Sequence, residues 1–199
     1  MGAPYFTTIS AEWVIPNSRT SGSKSASWIG IDDDGASSLA QAGWVDQNGG
    51  KFPFVQWASA IGSCTGAYCS PVPVTGFTLQ TGDVLALTIV LASNPATSAT
   101  ATFVNKWNGN ASTQVTFNSG SLPPMYGVRC AWLMEANPAG INNFGACQFF
   151  GCQGIDTNGV AHQVTSLFQM VQSGVTLVVP AAYANVATGA IGSVLVYQP

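Results

Sequence analysis

Short segments rich in Val, Ile, Thr and aromatic residues recur along the whole chain and alternate with turn signals. Eleven such segments are predicted strands: 9–15, 28–31, 38–45, 52–57, 84–91, 100–106, 113–118, 129–135, 148–151, 175–179 and 193–197. Turn signals bound them at Asp34-Gly35, Asn48-Gly49-Gly50, Thr81-Gly82-Asp83, Asn108-Gly109-Asn110 and Asn158-Gly159. No stretch of about 12 residues carries a 3.6-residue apolar period, so long helices are not expected. The pattern therefore predicts a single all-β domain over residues 1–199, either a sandwich or a jelly roll.

Charged side chains are rare in this sequence, which argues against a nucleic-acid partner, and its apolar runs are short, which argues against a membrane span. Lys and Arg number 5 and Asp and Glu 8 among 199 residues, which gives a formal net charge of −3. Binding to nucleic acid needs a basic patch that neutralises phosphates, and so few cations cannot supply one. The longest apolar run, 84–92, has the length of a strand, whereas a membrane-spanning helix needs roughly 20 residues. We therefore expect neither a nucleic-acid partner nor a membrane span.

The same shortage of charge favours an acidic, extracellular setting. Acid unfolds proteins largely because paired carboxylates take up protons and the remaining cations repel one another. With every carboxylate protonated, the 5 Lys and Arg, His162 and the amino terminus give only about +7. A structural coat protein, or drift without selection, would show the same composition. The sequon Asn110-Ala111-Ser112 in a predicted hairpin tip is compatible with secretion, and the first residues carry no signal-peptide pattern.

Five cysteines leave three interpretations open. Cys64 and Cys69, like Cys147 and Cys152, are separated by four residues and flank glycine-containing segments, a spacing that would allow two local disulfides. Cys130 belongs to neither pair. Free thiols and a zinc site of four thiolates are the alternatives, although zinc knuckles usually use tighter spacings. Disulfides fit the extracellular setting best.

The sequence lacks the motifs of several enzyme classes. The single histidine, His162, excludes His-rich zinc sites and two-histidine metalloproteases. No Gly-x-Ser-x-Gly presents a serine nucleophile, no Asp-Thr-Gly or Asp-Ser-Gly indicates an aspartic protease, and no glycine loop is suited to phosphate. A Cys–His dyad stays formally open, but an isolated histidine is more often a packing or surface residue. We expect neither a metal nor another cofactor.

Two polar residues lie in otherwise apolar predicted strands. By alternation Ala131, Leu133 and Glu135 share one face of their strand. A carboxylate there can act as a general acid or base, or it can simply point into water from the strand end. Gln41 alternates with small residues, and a buried amide must find a hydrogen-bond partner. It can bind a neighbouring backbone group, or it can donate to an oxyanion at any pH because an amide does not titrate.

Three motifs in this order resemble the glutamic peptidases, also called eqolisins (peptidase family G1). They are Ser27-Trp28-Ile29-Gly30-Ile31-Asp32, then Leu39-Ala40-Gln41-Ala42-Gly43 with Asp46, and then Trp132-Leu133-Met134-Glu135. The similarity continues at Glu12-Trp13-Val14-Ile15-Pro16, Thr81-Gly82-Asp83, Asn143-Phe144-Gly145 and Gly192-Ser193-Val194. It covers residues 8–198, and the first two motifs at this spacing are specific to the family.

The resemblance implies a lectin-like (concanavalin A-like) double antiparallel β-sheet sandwich that carries a pepstatin-insensitive, acid-acting endopeptidase site for polypeptide substrates. The family's catalytic glutamine corresponds to Gln41 and its catalytic glutamate to Glu135. In the implied mechanism Glu135 takes a proton from an attacking water and returns it to the leaving nitrogen, while Gln41 stabilises the oxyanion. The residues expected to line or brace the substrate cleft of this secreted monomer are Trp28, Asp32, Asp46 and Trp57.

The chain departs from these relatives at several positions. The segment 54–58, Phe-Val-Gln-Trp-Ala, stands where relatives often read Tyr-Glu-Trp-Tyr-Pro, Trp44 is an inserted residue, and Ala131 replaces a second glutamate. These differences bear on substrate preference and on the electrostatics of the site. The alternative function is a non-catalytic carbohydrate-binding module on the same fold, in which exposed tryptophans such as Trp57 or Trp107 stack on sugar rings. A structural protein without a site is the third reading.

Overall fold

The computed structural model describes residues 5–16, 25–32, 37–47, 50–59, 64–136, 146–164, 170–172, 175–184 and 191–197. Their strands are β1 (Phe6–Val14), β2 (Ser25–Asp32), β3 (Leu39–Gln47), β4 (Gly50–Ala58), β5 (Val72–Pro73), β6 (Val84–Leu91), β7 (Ser98–Asn105), β8 (Ala111–Asn118), β9 (Arg129–Ala136), β10 (Ala146–Asp156), β11 (Ala161–His162), β12 (Met170–Gln172), β13 (Val175–Ala184) and β14 (Ile191–Tyr197). These ranges contain no helix long and apolar enough to cross a membrane.

The strands pair antiparallel and form two sheets. One sheet has nine strands in the order β12-β13-β14-β10-β1-β6-β7-β8, with β11 paired to β10. The other has five strands in the order β5-β4-β3-β2-β9. The two sheets pack face to face, which confirms the predicted all-β double-sheet sandwich. Each of the eleven predicted segments overlaps an observed strand.

The hydrophobic core lies between the two sheets, because alternate residues of each strand point inward. The buried apolar side chains include Ile9, Ala11, Trp13, Leu85, Leu87 and Ile89 of the nine-stranded sheet and Ile29, Ile31, Ala42, Trp44 and Val55 of the five-stranded sheet. Burial of a large apolar side chain is worth about 1.5–3 kcal/mol. The inner faces of both sheets therefore depend on each other for their burial.

Two indole groups connect the sheets by hydrogen bonds. Trp13 Nε1 of β1 donates to Ser27 Oγ of β2 at 3.0 Å. Trp132 Nε1 of β9 donates to the Ser10 carbonyl of β1, also at 3.0 Å. A buried polar group without a partner costs about 1–3 kcal/mol. These bonds allow the tryptophans to enter the core and fix the position of β2 and β9 against β1.

One of the two expected disulfides is present and the other is not. Cys64 and Cys69 are bridged, whereas Cys147 and Cys152 are not, so the prediction of a second local disulfide is wrong. Both of these thiols are buried in β10, where an irregularity around Gly151 turns them to the same inward face. Even with this irregularity, residues five positions apart in one strand lie farther apart than the roughly 4.4–6.8 Å between the Cα atoms of a disulfide.

Candidate active site

The five-stranded sheet has an outer face, turned away from the core, that carries alternate residues of β2, β3, β4 and β9. Strand register arranges these residues in three rows: Gln56–Gln41–Gly30–Ala131, Phe54–Gly43–Trp28–Leu133 and Phe52–Val45–Ala26–Glu135. Gln41 and Glu135 therefore share this outer face, two rows apart, with Trp28 in the row between them. Two rows correspond to about 13 Å along a strand, and the step from β3 across β2 to β9 adds about 9–10 Å across the sheet. The two long side chains reach toward each other over Trp28, and a substrate would lie between them.

Gln41 is buried in this face, with 6% of its surface exposed. Its Nε2 donates to Gln56 Oε1 at 2.8 Å, and Gln56 Nε2 donates in turn to the Cys69 carbonyl at 3.1 Å. The Oε1 of Gln41 meets no hydrogen-bond donor among the described residues. The amide therefore has a buried acceptor oxygen without a partner, and one of its two N–H groups is not used by Gln56.

Glu135 lies at the exposed end of β9 and is held by Trp28. Trp28 Nε1 donates to Glu135 Oε2 at 2.9 Å. A hydrogen bond to a charged group is worth about 1.5–3 kcal/mol, so this contact restricts the rotamer of the carboxylate. The second carboxylate oxygen stays available to a water molecule or a substrate N–H.

Two glycines make room for Trp28, Gly43 for its backbone and Cβ and Gly30 for its ring. A Cβ on Gly43, directly opposite on β3, would lie 2.7 Å from both Cα and Cβ of Trp28. A Cβ on Gly30 would lie 3.1 Å from Trp28 Cζ3. The ring thus extends from Glu135, at its N–H, toward Gly30, the residue paired with Gln41. Trp28 forms the floor of the outer face between the two candidate catalytic groups.

Asp32 lies at the end of β2 on the same face and forms a two-point ion pair with Arg129 of β9. Arg129 Nε donates to Asp32 Oδ1 at 2.9 Å, and Nη2 donates to Oδ2 at 3.3 Å. The two residues are also register partners. Asp32 thereby braces the β2–β9 pair at the Gln41 end of the outer face. Sequence reasoning did not single out Arg129, because only the register shows that it faces Asp32.

Two of the expected cleft residues do not lie on the outer face. Trp57 is fully buried in the core, where its Nε1 donates to Ser38 Oγ at 2.6 Å and its ring packs against Phe117. Its assignment to substrate binding, or to stacking on a sugar, is therefore wrong. Alternation also turns Asp46 away from Gln41, and its carboxylate pairs with Lys51 across β3 and β4 at 3.4 Å. Asp46 stabilises the end of this strand pair.

The single histidine lies on the other sheet. His162 Nε2 is 2.8 Å from Asp156 Oδ2, and the imidazole meets the Phe6 ring edge to face. The hydrogen bond with His162 holds the pKa of Asp156 below its ordinary value, against the opposing effect of burial and with help from the Val160 and Asn158 backbone N–H groups. This arrangement is typical of a packing role for the histidine.

The Cys130 and Cys147 thiols are poor candidates for a nucleophile. Burial raises the pKa of Cys147, and the neighbouring Cys152 raises it further. Burial and then the Asp32 carboxylate raise the pKa of Cys130. A thiol with a raised pKa stays protonated and reacts slowly. With His162 bonded to Asp156, nothing in this part of the chain supports a Cys–His dyad.

The remaining features lie away from the outer face. Among the described residues no three His, Cys, Asp or Glu side chains are grouped to hold a metal ion, and the expectation of a cofactor-free protein stays a prediction. Trp107, 76% exposed in the turn after β7, borders an open cleft on the nine-stranded sheet. That cleft is lined by Thr78, Gln80, Asp83, Trp107 and Asn108.

These observations define a β-sandwich protein whose outer face offers proton transfer by a carboxylate and neutral hydrogen bonds from an amide. The sequence matches the Peptidase A4 family over residues 2–187, and the chain belongs to this family, that of the eqolisins or glutamic peptidases. No curated protein matches the chain significantly.

Solved structures of glutamic peptidases share the fold. Scytalido-glutamic peptidase with a transition-state analogue inhibitor superposes with a TM-score of 0.70 at 17% identity, over 99% of this chain and 94% of that one. Aspergilloglutamic peptidase from Aspergillus niger gives 0.68 at 18% identity, over 88% and 99%. SCP-B, an eqolisin in complex with the tripeptide Ala-Ile-His, gives 0.64 at 17% identity, over 98% and 94%.

Proposed function

We propose that this chain is an acid-acting, pepstatin-insensitive endopeptidase in which Glu135 is the general base and acid and Gln41 is the oxyanion donor. One observation carries the proposal: in a member of a peptidase family, Gln41 and Glu135 share the outer face of one sheet, with Trp28 between them. An amide and a carboxylate suffice for hydrolysis of a peptide bond without a metal or a covalent intermediate.

The reaction begins with a water molecule at the free oxygen of Glu135. Glu135 takes one proton from this water, and the oxygen of the water bonds to the carbonyl carbon of the scissile peptide. The carbonyl oxygen becomes an oxyanion, which accepts the second N–H of the Gln41 amide. Glu135 then gives the proton to the peptide nitrogen, the C–N bond breaks, and a carboxyl product and an amine product leave. Trp28 keeps the carboxylate in place through its indole N–H.

The substrate class follows from the surroundings of these groups. Leu133 lies between Ala131 and Glu135 in β9, is 37% exposed, and offers an apolar surface beside Trp28. An extended polypeptide lying across the face would place a side chain there and its backbone between Gln41 and Glu135. We further propose that the protein acts as a secreted monomer, which agrees with its Cys64–Cys69 disulfide and its low charge.

The test is hydrolysis of an unfolded protein between pH 2 and 7 in the presence of pepstatin. We expect cleavage confined to acidic pH in the parent. Glu135→Gln should lower kcat by about 10³-fold or more, because it removes both proton-transfer steps. Gln41→Ala should lower it by about 10²–10³-fold, the usual cost of one oxyanion donor.

The sequence provides a matched control, because Glu12 and Glu135 are its two glutamates. Glu12 pairs with Lys106 at 2.6 Å on the nine-stranded sheet, far in the fold from the outer face. Glu12→Gln should therefore keep parental kcat and KM. Equal activity of parent, Glu135→Gln and Glu12→Gln would overturn the proposed function.

One observation favours the carbohydrate-binding alternative, namely the exposed Trp107 beside the cleft of Gln80, Asp83 and Asn108. An aromatic face flanked by amides and a carboxylate is suited to a sugar ring. Glycan-array binding that Trp107→Ala abolishes, in a parent that cleaves no protein at any pH, would establish this second function in place of the first.

A further inference from the structure

The side chain of Gln41 is one link in a chain of three hydrogen-bonded groups. Gln41 Nε2 donates to Gln56 Oε1 at 2.8 Å, and Gln56 Nε2 donates to the Cys69 carbonyl at 3.1 Å. Gln41 and Gln56 are register partners on β3 and β4, so their side chains project side by side on the outer face. Neither residue type titrates between pH 2 and 10.

The Cys69 carbonyl determines which group donates and which accepts in these two hydrogen bonds. The Cys69 carbonyl can only accept, so Gln56 must turn its NH2 group toward Cys69 and its oxygen toward Gln41. Gln41 must then turn its NH2 group toward Gln56. Of the two flips open to the Gln41 amide, the opposite one would bring two acceptor oxygens together. The contact therefore selects the flip in which Gln41 presents its second N–H and its unpartnered Oε1.

Cys69 is itself held in place by the Cys64–Cys69 loop. The disulfide closes this loop, and the Tyr68 carbonyl accepts the backbone N–H of Trp57, the residue next to Gln56. The other side of the loop is bound to the turn after β8, where Ser121 N donates to the Thr65 carbonyl at 3.0 Å. The acceptor at the end of the chain is thus fixed from two directions.

We propose that Gln56, held by the Cys69 carbonyl, is a positioning residue that fixes the Gln41 amide in its donor orientation. The proposal rests on the proposed function, in which Gln41 donates to the oxyanion. Gln56 touches neither substrate nor reacting atoms and acts through Gln41. These three hydrogen-bonded groups are two amides and a carbonyl, which do not titrate. They therefore hold the Gln41 amide in the same orientation throughout the acidic range.

The charged and titratable groups around Gln56 do not take part in the hydrogen bonds that join Gln41, Gln56 and Cys69. On the flanking β3, the described carboxylate is Asp46, which lies on the opposite face with Lys51 of β4. In the Cys64–Cys69 loop, the Tyr68 hydroxyl donates to the Thr116 carbonyl. On the outer face, Glu135 is bound to Trp28, and Asp32 to Arg129.

The sharpest test is the ratio of kcat of Gln56→Glu to kcat of the parent, measured from pH 2.5 to 6. A protonated glutamic acid can copy both contacts, since its O–H donates to the Cys69 carbonyl and its C=O accepts from Gln41. Once ionised, the glutamate has no proton to donate to the Cys69 carbonyl, and its carboxylate oxygen and the carbonyl oxygen repel each other. We expect a ratio within about twofold of 1 at the acid end and a fall of about 10-fold as the new carboxyl ionises, for which an ordinary glutamate needs a pH above about 4.3.

Gln56→Ala provides the pH-independent comparison. It should lower kcat by about 10-fold or more at every pH with KM within about twofold, because misorientation of a catalytic group affects the transition state more than substrate binding. In the double variant Gln41→Ala/Gln56→Ala, kcat should equal that of Gln41→Ala alone, since Gln56 acts only through Gln41. If the kcat of Gln56→Glu recovers at low pH in the same preparation, misfolding is excluded as the cause of its lower kcat at higher pH.

The outcomes separate the two proposals. If Gln41→Ala keeps full activity, the proposed role of Gln41 fails. If Gln41→Ala loses activity while Gln56→Ala keeps parental kcat, or the Gln56→Glu ratio is the same at every pH, the positioning role fails and the proposed function stands. A further loss on adding Gln56→Ala to Gln41→Ala would also overturn the positioning role.

Discussion

Gly43 shows how a single residue without a side chain shapes the outer face. An added Cβ there would lie 2.1 Å from the Ser27 carbonyl oxygen and 2.7 Å from Trp28 Cα and Cβ, so the β2–β3 backbone would have to move. We predict that Gly43→Ala lowers the free energy of unfolding by about 1–3 kcal/mol, the usual cost of overpacking. Urea unfolding at constant pH measures this loss.

Gly30→Ala is the matched comparison for Gly43→Ala. Its Cβ would approach Leu39 Cδ1 at 2.9 Å and the Ala40 carbonyl at 3.0 Å, and a leucine methyl can rotate aside. The loss of stability should therefore be smaller for Gly30→Ala than for Gly43→Ala. The reverse order would contradict this account of how Trp28 is accommodated.

Residue identity and alternation single out Gln41 and Glu135, and the resemblance to the glutamic peptidases predicts them as a catalytic pair, but neither predicts the contacts that support them. Gln41 and Glu135 stand out as polar residues in apolar strands, and alternation gives each its face. Only the β3–β4 register shows that Gln56 is the partner of Gln41. The same alternation turns Trp57 into the core, which is why its predicted contact with substrate is wrong.

At the level of elements, strand positions were predictable wherever period-2 alternation runs for several residues. The two- and three-residue strands β5, β11 and β12 are too short to carry a period and were not predicted. The predicted strand 148–151 is longer in the structure, where β10 spans Ala146–Asp156. Gly151 has a φ of 57°, and the irregularity there reverses the inward and outward alternation of side chains. The alternating pattern in the sequence therefore stops at residue 151, although the strand continues to Asp156.

The β10–β11 hairpin is predicted to make stability depend on pH through Asp156. Since the hydrogen bond with His162 lowers the folded-state pKa of Asp156 below about 3.8, the ionised form stabilises the fold above that pH. This contribution is lost as the pH falls through the lower, folded-state pKa. Asp156→Asn should therefore be less stable than the parent at pH 5–7, and the difference should shrink below pH 4.

Chemical unfolding midpoints from pH 7 down to pH 2 measure this difference. His162→Gln serves as the companion variant, because the bond with His162 is the largest cause of the lowered pKa of Asp156. It should weaken the pH dependence in the same window. Parallel curves for parent and Asp156→Asn across the whole range would show that this contact does not couple folding to proton binding.

At the scale of the whole molecule, the outer face depends on a sheet that is not self-sufficient. The inner side of the five-stranded sheet is buried against the nine-stranded sheet. It contributes to a continuous core the side chains of Ile29, Ile31, Ala40, Ala42, Trp44, Val55, Trp57 and Met134. The bonds from Trp13 to Ser27 and from Trp132 to Ser10 cross between the sheets. Separation of the sheets would expose this apolar surface and break both hydrogen bonds.

We therefore predict that both sheets unfold in one cooperative transition, as expected if residues 1–199 form a single domain. Tryptophan fluorescence, which reports Trp13, Trp44 and Trp57 in the shared core, should follow the same curve as far-UV circular dichroism. The calorimetric enthalpy should equal the van't Hoff enthalpy, and peptidase activity should disappear in the same transition. Loss of activity well before loss of the core signal would mean that the five-stranded sheet opens separately, and the single-domain prediction would be wrong.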